Sequence, residues 1–262
     1  MEPQAHWERL GHRLARMGLP QVPGQRLADH AAALLGGCEG LTVLLGLTPA
    51  FADLGARVEA FDATPGMIAA VWPGDTALRR ARVADWRALP VQSGTARQVI
   101  GDGALNSVPD RAAVRAVLAE VRRVLAPGGR AAIRVFTRPD PAETAAEVLA
   151  AAEAGRIASL NALRWRIAAA LALGPAHEVA VADIVSVVAP LGDLADFARA
   201  RGMQPDEAEH FLAYRGSPAR YVFPDRAVLE ADAEAVGLGC AWVPTEGYPG
   251  ADLCPFAVLG VI

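Results

Sequence analysis

The sequence has few cysteines, little excess charge and no long apolar run. Among its 262 residues are three cysteines, and 25 basic side chains stand against 29 acidic ones, for a net charge of −4. Cys38, Cys240 and Cys254 are too far apart for a disulfide framework or a CxxC metal site, so we expect reduced thiols and no metal. The near balance of charge disfavours a protein that coats nucleic acid or an anionic membrane.

Neither the N-terminus nor the most apolar stretch is typical of export or membrane insertion. The opening segment MEPQAHWERLGHRLARMG is charged throughout and lacks the apolar centre of a signal peptide. The most apolar stretch, 167–191, is interrupted by Pro175 and by three ionisable residues that a bilayer span would have to bury. We therefore predict a cytoplasmic protein with no membrane partner and no nucleic-acid partner, built around one large core.

Short apolar runs alternate with helical patterns over the first 137 residues. Helices are predicted over 2–17, 25–35 and 110–125, the last capped by Asp110 and stopped by Pro127. Such alternation is typical of an α/β fold with a doubly wound, parallel sheet. The predicted strands are 41–45, 58–62, 81–85, 97–101 and 130–136.

The pattern changes after residue 137. Five helices and no strand are predicted up to about residue 215, followed by a helix that Asp225 caps and that runs to Val236. Two closing strands are predicted over 239–243 and 255–262. The five predicted helices are 142–154, 157–173, 180–189, 193–201 and 205–214. We thus divide the chain into N-terminal helices (1–39), a ligand-binding core (40–137), a helical insertion (138–224) and the end of the core (225–262).

The residues that end the predicted strands are the first candidates for a ligand site. Ligands of open parallel sheets bind beyond the carboxyl ends of the strands, where strand order reverses. Gly46 ends the first strand, and Thr48 and Pro49 suit the N-cap and first position of a short helix whose amides would face a ligand. A plain turn that needs a glycine is an equal alternative.

Asp62 ends the second predicted strand, 16 residues after Gly46. A carboxylate in this place can accept hydrogen bonds from both hydroxyls of a ribose. The alternative is a turn aspartate or the cap of a helix over 64–70. Met67 on that helix would face an adenine ring or lie in the core.

Asp85 and Trp86 end the third predicted strand. A carboxylate that accepts from an exocyclic amine, beside a flat apolar ring, suits an adenine base, although a half-buried tryptophan with a turn aspartate is an equal alternative. After the fourth strand, Gly101 allows a close backbone approach, and Asp102 or Asn106 would touch the substrate or the reacting end of a cofactor. A flexible turn explains these residues almost as well.

Three stretches together resemble the class I S-adenosylmethionine-dependent methyltransferases. They are VEAFDATPGMI (58–68), VADWRALPVQSGTARQVIGD (83–102) and EVRRVLAPGGRAAIRVF (120–136), which match the family's acidic strand end, its D-x-x-x-LP segment and the leader of its fifth strand. The first strand departs from the family, because TVLLGLTPA (42–50) keeps only Gly46 of V-L-D-L-G-x-G-x-G. The family's acid falls on Leu44, and its other glycines fall on Thr48 and Ala50.

The resemblance implies a seven-stranded sheet whose five parallel strands are finished by a hairpin, with a helical insertion between strands five and six. It implies S-adenosylmethionine as cofactor and S-adenosylhomocysteine as product. The ribose would bind Asp62, the adenine Asp85 and Trp86, and the reactive end Gly101. The full set of implied cofactor-binding residues is Gly46, Leu47, Thr48, Asp62, Ala63, Met67, Asp85, Trp86, Gly101 and Asp102.

The reaction that the resemblance implies is direct methyl transfer to a small-molecule acceptor beneath a helical lid. A base is optional, and His210, Tyr214 and Asp102 are candidates. The side chains of Arg134, Trp165, Arg166 and Arg215 would shape a pocket for an acidic or aromatic acceptor. Alternatives are a non-catalytic binding or regulatory protein of the same fold that has lost or weakened cofactor binding, and a nicotinamide-dependent dehydrogenase, which the absent GxGxxG disfavours.

Overall fold

A computed structural model describes residues 19, 20, 22–37 and 39–262. The helix predicted over 2–17, and Cys38, lie outside the described residues. The helix predicted over 25–35 is confirmed as α1, Gln25–Leu35. It ends at Gly36, whose φ of 74° lies in the left-handed region that glycine adopts most easily.

A seven-stranded sheet organises the chain. Its strand order is β3-β2-β1-β4-β5-β9-β8, in which β1 to β5 pair in parallel and β9 runs antiparallel to both β5 and β8. The sheet therefore has the seven strands and the closing hairpin that the sequence predicts. The strands are β1 (Leu41–Leu45), β2 (Arg57–Asp62), β3 (Arg79–Val83), β4 (Ala96–Asp102), β5 (Leu125–Arg134), β8 (Leu238–Val243) and β9 (Phe256–Val261).

Helices cover both faces of this sheet. The short α2 (Pro65–Val71) follows β2, α3 (Arg111–Val124) joins β4 to β5, and α9 (Arg226–Glu234) precedes β8. The Asp110 side chain caps α3 by accepting from the Ala113 amide at 2.7 Å, as predicted. One buried apolar cluster joins α3 and α9 to the sheet, and a second joins α1 and α2 to its other face. The ends of β1, β2 and β4 are thereby held between two packed layers.

The segment between β5 and α9 is mostly helical and has an apolar cluster of its own. Its helices are α4 (Ala145–Glu153), α5 (Leu160–Leu171), α6 (Val181–Val187), α7 (Leu194–Ala200) and α8 (Glu207–Leu212). The prediction of no strand here is wrong, because β6 (Glu178–Ala180) pairs antiparallel with β7 (Arg220–Val222). Three-residue strands are too short to show alternation, and the pairing joins segments about 40 residues apart.

The junction at Asp225 also differs from the prediction. Asp225 occupies the N-cap position of α9, but its side chain makes no capping hydrogen bond. Its carboxylate instead faces Arg138, with 3.6 Å between Nε and Oδ1, and His177, with 4.0 Å between Nδ1 and Oδ2. Arg138 at the start of the helical segment therefore attracts the Asp225 carboxylate at its end, and this carboxylate does not cap α9.

Candidate functional site

A cavity of about 1020 Å³ lies beyond the carboxyl ends of β1, β2 and β4. Strand ends form one side of it, and residues of the helical segment form the other. The lining includes nine of the ten predicted cofactor-binding residues: Gly46, Leu47, Thr48, Asp62, Ala63, Met67, Asp85, Trp86 and Asp102. Gly101 is buried on β4 next to this lining. The structure thus brings the predicted residues together at one edge of the sheet.

Gly46 allows the chain to turn sharply at the end of β1. Its φ of 96° is in the left-handed region, where a side chain would be strained. Its amide donates to the Phe61 carbonyl at 2.9 Å, and the indole Nε1 of Trp86 donates to the same oxygen at 2.6 Å. Trp86 is thereby held against the turn, with its ring 3.7 Å from the position that a Cβ of Gly46 would take.

The short helix predicted after Gly46 is a single 3₁₀ turn, Pro49–Phe51. Thr48 is at its N-cap position and Pro49 at its first position, as predicted, but the Thr48 side chain makes no capping hydrogen bond. Pro49 has no N–H to offer a ligand. The predicted short helix is therefore present as one turn with one backbone donor missing, and the contact of its amides with a ligand stays a prediction.

Asp62 lies at the end of β2 with its carboxylate at the cavity. Oδ1 accepts a hydrogen bond from the Thr64 amide at 2.8 Å. Burial raises the pKa of Asp62 to about 6, although the hydrogen bonds from Thr64 lower it. The Thr64 amide begins α2, whose Met67 both lines the cavity and belongs to the core. Both interpretations of Met67, a ligand contact and a core residue, are compatible with its position.

Asp85 is two residues past the end of β3 and is tied to a partner that the sequence analysis missed. The guanidinium of Arg87 donates to it through Nε, at 3.0 Å from each oxygen, and through Nη2, at 2.6 Å from Oδ2. These hydrogen bonds lower the pKa of Asp85. The i to i+2 spacing of an acid and an arginine after a strand was the available signal. A ligand amine at Asp85 would share the carboxylate with Arg87.

Asp102 ends β4 and forms a buried ion pair with Arg134 at the end of β5. The two residues are paired across adjacent strands, and Nε of Arg134 donates to Oδ1 of Asp102 at 2.5 Å. Arg134 is fully buried, and its remaining nitrogens donate to the Pro20 carbonyl at 2.6 Å and to the Tyr248 hydroxyl at 3.1 Å. Burial raises the pKa of Asp102, and the charge of Arg134 opposes that rise.

Two predicted catalytic candidates lie away from the cavity. His210 and Tyr214 are buried in the apolar cluster region of the helical segment, and neither is among the residues that line the cavity. The Tyr214 hydroxyl accepts a hydrogen bond from Tyr221 at 3.2 Å. Their prediction as bases is not supported, because sequence spacing within a helical segment does not show which helix face reaches the sheet.

The predicted acceptor-pocket residues separate in the same way. Trp165 lines the cavity. Arg134 does not line it but forms an ion pair with Asp102, which does. Arg166 pairs with Glu143, and Arg215 is exposed; neither lines the cavity. The expectation that these two arginines shape the pocket is therefore wrong. Phe136 and Tyr221, which the sequence analysis did not single out for the site, do line it.

Residues 43–133 match a family model described as a methyltransferase domain. The match runs from within β1 to within β5. It therefore includes the parallel strands whose ends line the cavity, and the closing hairpin of β8 and β9 lies outside it. Residues 43–133 therefore resemble a methyltransferase domain, and the seven-stranded sheet that contains them has a Rossmann-like fold. A search of curated protein sequences found no match to this chain.

Several solved structures that share this fold at low sequence identity are methyltransferases. The CcbJ methyltransferase of Streptomyces caelestis is 14% identical, with a TM-score of 0.60 and coverage of 100% of this chain and 99% of that one. The N-methyltransferase NodS of Bradyrhizobium japonicum, crystallised with S-adenosylhomocysteine, is 11% identical, with a TM-score of 0.52 and coverage of 97% of each chain.

One similar structure is named as a dehydrogenase and not as a methyltransferase. A Rhodobacter sphaeroides protein whose name proposes a Zn-dependent alcohol dehydrogenase is 14% identical, with a TM-score of 0.64 and coverage of 99% of this chain and 98% of that one. Within the part of the chain that the structure describes, no group of three His, Cys, Asp or Glu residues is placed to hold a metal ion.

No helix among the described residues is long and apolar enough to cross a bilayer.

Proposed function

We propose that this chain is an S-adenosylmethionine-dependent methyltransferase that acts on a small molecule. The observation that carries the proposal is the cavity of about 1020 Å³ at the strand ends of a methyltransferase domain, with the Asp62 carboxylate at its edge. Ligand pockets are commonly about 300–1,000 Å³, so this cavity has room for a nucleoside cofactor together with a small acceptor.

The ribose and adenine ends of the cofactor fit the residues present. Asp62 has one oxygen on the Thr64 amide and retains acceptor capacity for the two ribose hydroxyls. Asp85 keeps acceptor capacity for the adenine amine beside its Arg87 contacts, and Trp86 offers a held aromatic ring. The methionine end has fewer polar partners than the family pattern provides, since Pro49 has no N–H donor and Leu44 has no carboxylate acceptor.

Bound S-adenosylmethionine supplies an electrophilic methyl group for attack by an acceptor O, N, C or S atom. The protein's own contribution is to hold the acceptor close and aligned in a site with little water, which supplies on the order of 7 kcal/mol or more in favourable cases. Asp102 is the candidate to accept a proton from the acceptor. Asp102 lines the cavity, and burial raises the pKa of its carboxyl group, although the charge of Arg134 opposes that rise.

The state of the cleft favours an enzyme over the non-catalytic alternative. A binding module that had lost its cofactor would have the cleft filled by side chains such as Leu47, Trp86 or Met67. These three side chains line an open cavity instead. We infer a cytoplasmic enzyme with a small-molecule partner and with the segment 138–224 as its lid.

Ligand-dependent thermal unfolding tests the proposal. A ligand present at 100 times its dissociation constant adds about 2.7 kcal/mol of stability, which is several degrees for a chain of this length. We expect S-adenosylmethionine and S-adenosylhomocysteine to raise the unfolding temperature and NAD to leave it unchanged. A folded protein, freed of any co-purified ligand, that responds to NAD alone or to none of the three would contradict the proposal.

A further inference from the structure

Three aromatic side chains from different elements form one wall of the cavity. Phe136 follows β5, Trp165 is on α5, and Tyr221 is on β7. The Trp165 ring stacks on Phe136, with centroids 4.4 Å apart and planes 20° apart, and lies 5.8 Å from the Tyr221 ring. All three are 6% exposed or less. This aromatic wall faces the strand ends and is supplied largely by the helical segment.

Most polar groups beside the aromatic wall are occupied within the protein. The Asn106 amide nitrogen donates to the carbonyls of Phe136 and Val222, and its oxygen accepts from the Phe136 amide. Ser107 donates to the Gly103 carbonyl at 2.9 Å, and Tyr221 donates to Tyr214 at 3.2 Å. These groups therefore hold the wall in place and have little capacity left to recognise a ligand.

The indole N–H of Trp165 differs from these groups. It is buried and has no hydrogen-bond partner within the described residues. A buried donor left without an acceptor costs about 1–3 kcal/mol, and such groups in folded proteins usually find a partner. Since Trp165 lines the cavity, an acceptor atom on a bound molecule can accept the hydrogen bond for which the protein provides no acceptor.

The charges around the cavity disfavour an anionic molecule. The arginines in contact with it or beneath it each have a carboxylate partner: Arg87 has Asp85, Arg220 has Glu178, and Arg134 has Asp102. Both arginines that line the cavity, Arg87 and Arg220, are thus paired with a carboxylate of the protein. An anion would also meet the Asp102 carboxylate in a poorly hydrated site.

We propose that the methyl acceptor is a planar, largely apolar and uncharged molecule that packs against the aromatic wall and accepts a hydrogen bond from Trp165 Nε1. This inference rests on the proposed methyltransferase function and adds to it the chemical class of the acceptor. Of the two expectations from the sequence, an acidic or an aromatic acceptor, the arrangement of charges and rings favours the aromatic one.

The test uses three indane probes of matched ring shape on the full-length protein saturated with S-adenosylhomocysteine. The probes are 1-indanone, which has a carbonyl acceptor, indane, which has none, and indane-2-carboxylate, which is anionic. We expect 1-indanone to bind about five- to tenfold tighter than indane, as one hydrogen bond predicts, and the carboxylate to bind most weakly. Equal binding of the first two probes, or tightest binding of the carboxylate, would overturn the proposal.

Trp165→Phe isolates the indole N–H, because it keeps an aromatic ring and removes the donor. We expect the affinity of this variant for 1-indanone to fall about five- to tenfold further than its affinity for indane, which reports the change in packing alone. An equal loss for both neutral probes would show that the residue acts by packing alone and would overturn the hydrogen bond. If the variant does not fold, the wild-type protein labelled with ¹⁵N-tryptophan replaces it.

In the labelled wild type, 1-indanone should move one indole N–H resonance downfield, and indane should not. The resonance is assigned to Trp165 by elimination, through single phenylalanine variants of the other four tryptophans. A shift at any other tryptophan, or none, would contradict the proposal. The experiment separates this proposal from the proposed function. If S-adenosylhomocysteine binds but the probes show no preference, only the proposed acceptor class is contradicted. If the probes show the preference but S-adenosylhomocysteine does not bind, the methyltransferase function is contradicted.

Discussion

The two sides of the cavity differ in chemistry. The strand-end side carries carboxylates, each already held by a neighbour: Asp62 by Thr64, Asp85 by Arg87 and Asp102 by Arg134. The opposite side carries the aromatic wall of Phe136, Trp165 and Tyr221 and one indole donor without a partner. Under the proposed function, the strand ends would bind the polar cofactor and the helical segment would select the acceptor.

Arg134→Met should have the largest effect, because it leaves the Asp102 carboxylate buried without its partner. Breaking a buried ion pair by removing one member costs about 3–5 kcal/mol. We expect chemical denaturation to show a loss of unfolding free energy of that order. Arg166→Met is the matched control, because its ion pair with Glu143 is partly exposed, and we expect a loss of about 1 kcal/mol or less. Similar losses in the two variants would contradict the special role of the cavity-side pair.

Asp62→Asn should make the protein more stable near neutral pH. The pKa of Asp62 is raised from 3.8 to about 6 in the folded state, so the folded protein favours the protonated form. Stability from this group is present below pH 3.8 and is lost as pH rises to about 6, by about 3 kcal/mol in total. We expect denaturation curves between pH 4 and 7 to show this loss in the wild type and a flatter profile in the variant. Parallel profiles would refute it.

Asp62→Ala should weaken the binding of S-adenosylhomocysteine by about 1.5–3 kcal/mol, because charged hydrogen bonds to the ribose hydroxyls are lost. Titration calorimetry measures the change. Asp183→Ala, which alters an exposed residue of α6 outside the cavity, serves as the control and should bind as the wild type does. An unchanged affinity in Asp62→Ala would remove this carboxylate from the site.

The smallest effect is expected at Asp85, which shares its carboxylate with Arg87. Asp85→Ala should weaken S-adenosylhomocysteine binding by about 1 kcal/mol, the typical value of one hydrogen bond. S-inosylhomocysteine lacks the exocyclic amine, so its affinity should be the same in both proteins. Equal losses for the two ligands would indicate that Asp85 acts only through Arg87 and the local turn.

The strand-end side was largely predictable from the sequence, whereas the aromatic wall was not. Apolar runs ending in Gly46, Asp62 and Gly101 mark buried parallel strands, and topology alone brings such ends to one edge. The wall depends on which face of α5 meets the sheet and on the β6–β7 pairing. Tertiary packing decides both of these features, and neither has a local sequence pattern. This is why Trp165 could be named only among several candidates, and why His210 was named as a candidate although it does not line the cavity.

Arg87 and Arg134 show a further limit of sequence reasoning. Each acts by holding a carboxylate that the sequence analysis assigned to a ligand, and Arg134 does so from the neighbouring strand. Residues 102 and 134 become partners only through the register of β4 against β5. The sequence analysis named Arg134 only as a pocket residue and did not single out Arg87, so it did not predict either ion pair.

A crystal structure of the protein with S-adenosylhomocysteine tests the central claim most directly. The account predicts that both ribose hydroxyls lie within hydrogen-bond distance of the Asp62 carboxylate, with the adenine beside Trp86 and the aromatic wall free for an acceptor. A ligand bound away from Asp62, or a cavity that stays empty at saturating ligand, would contradict it.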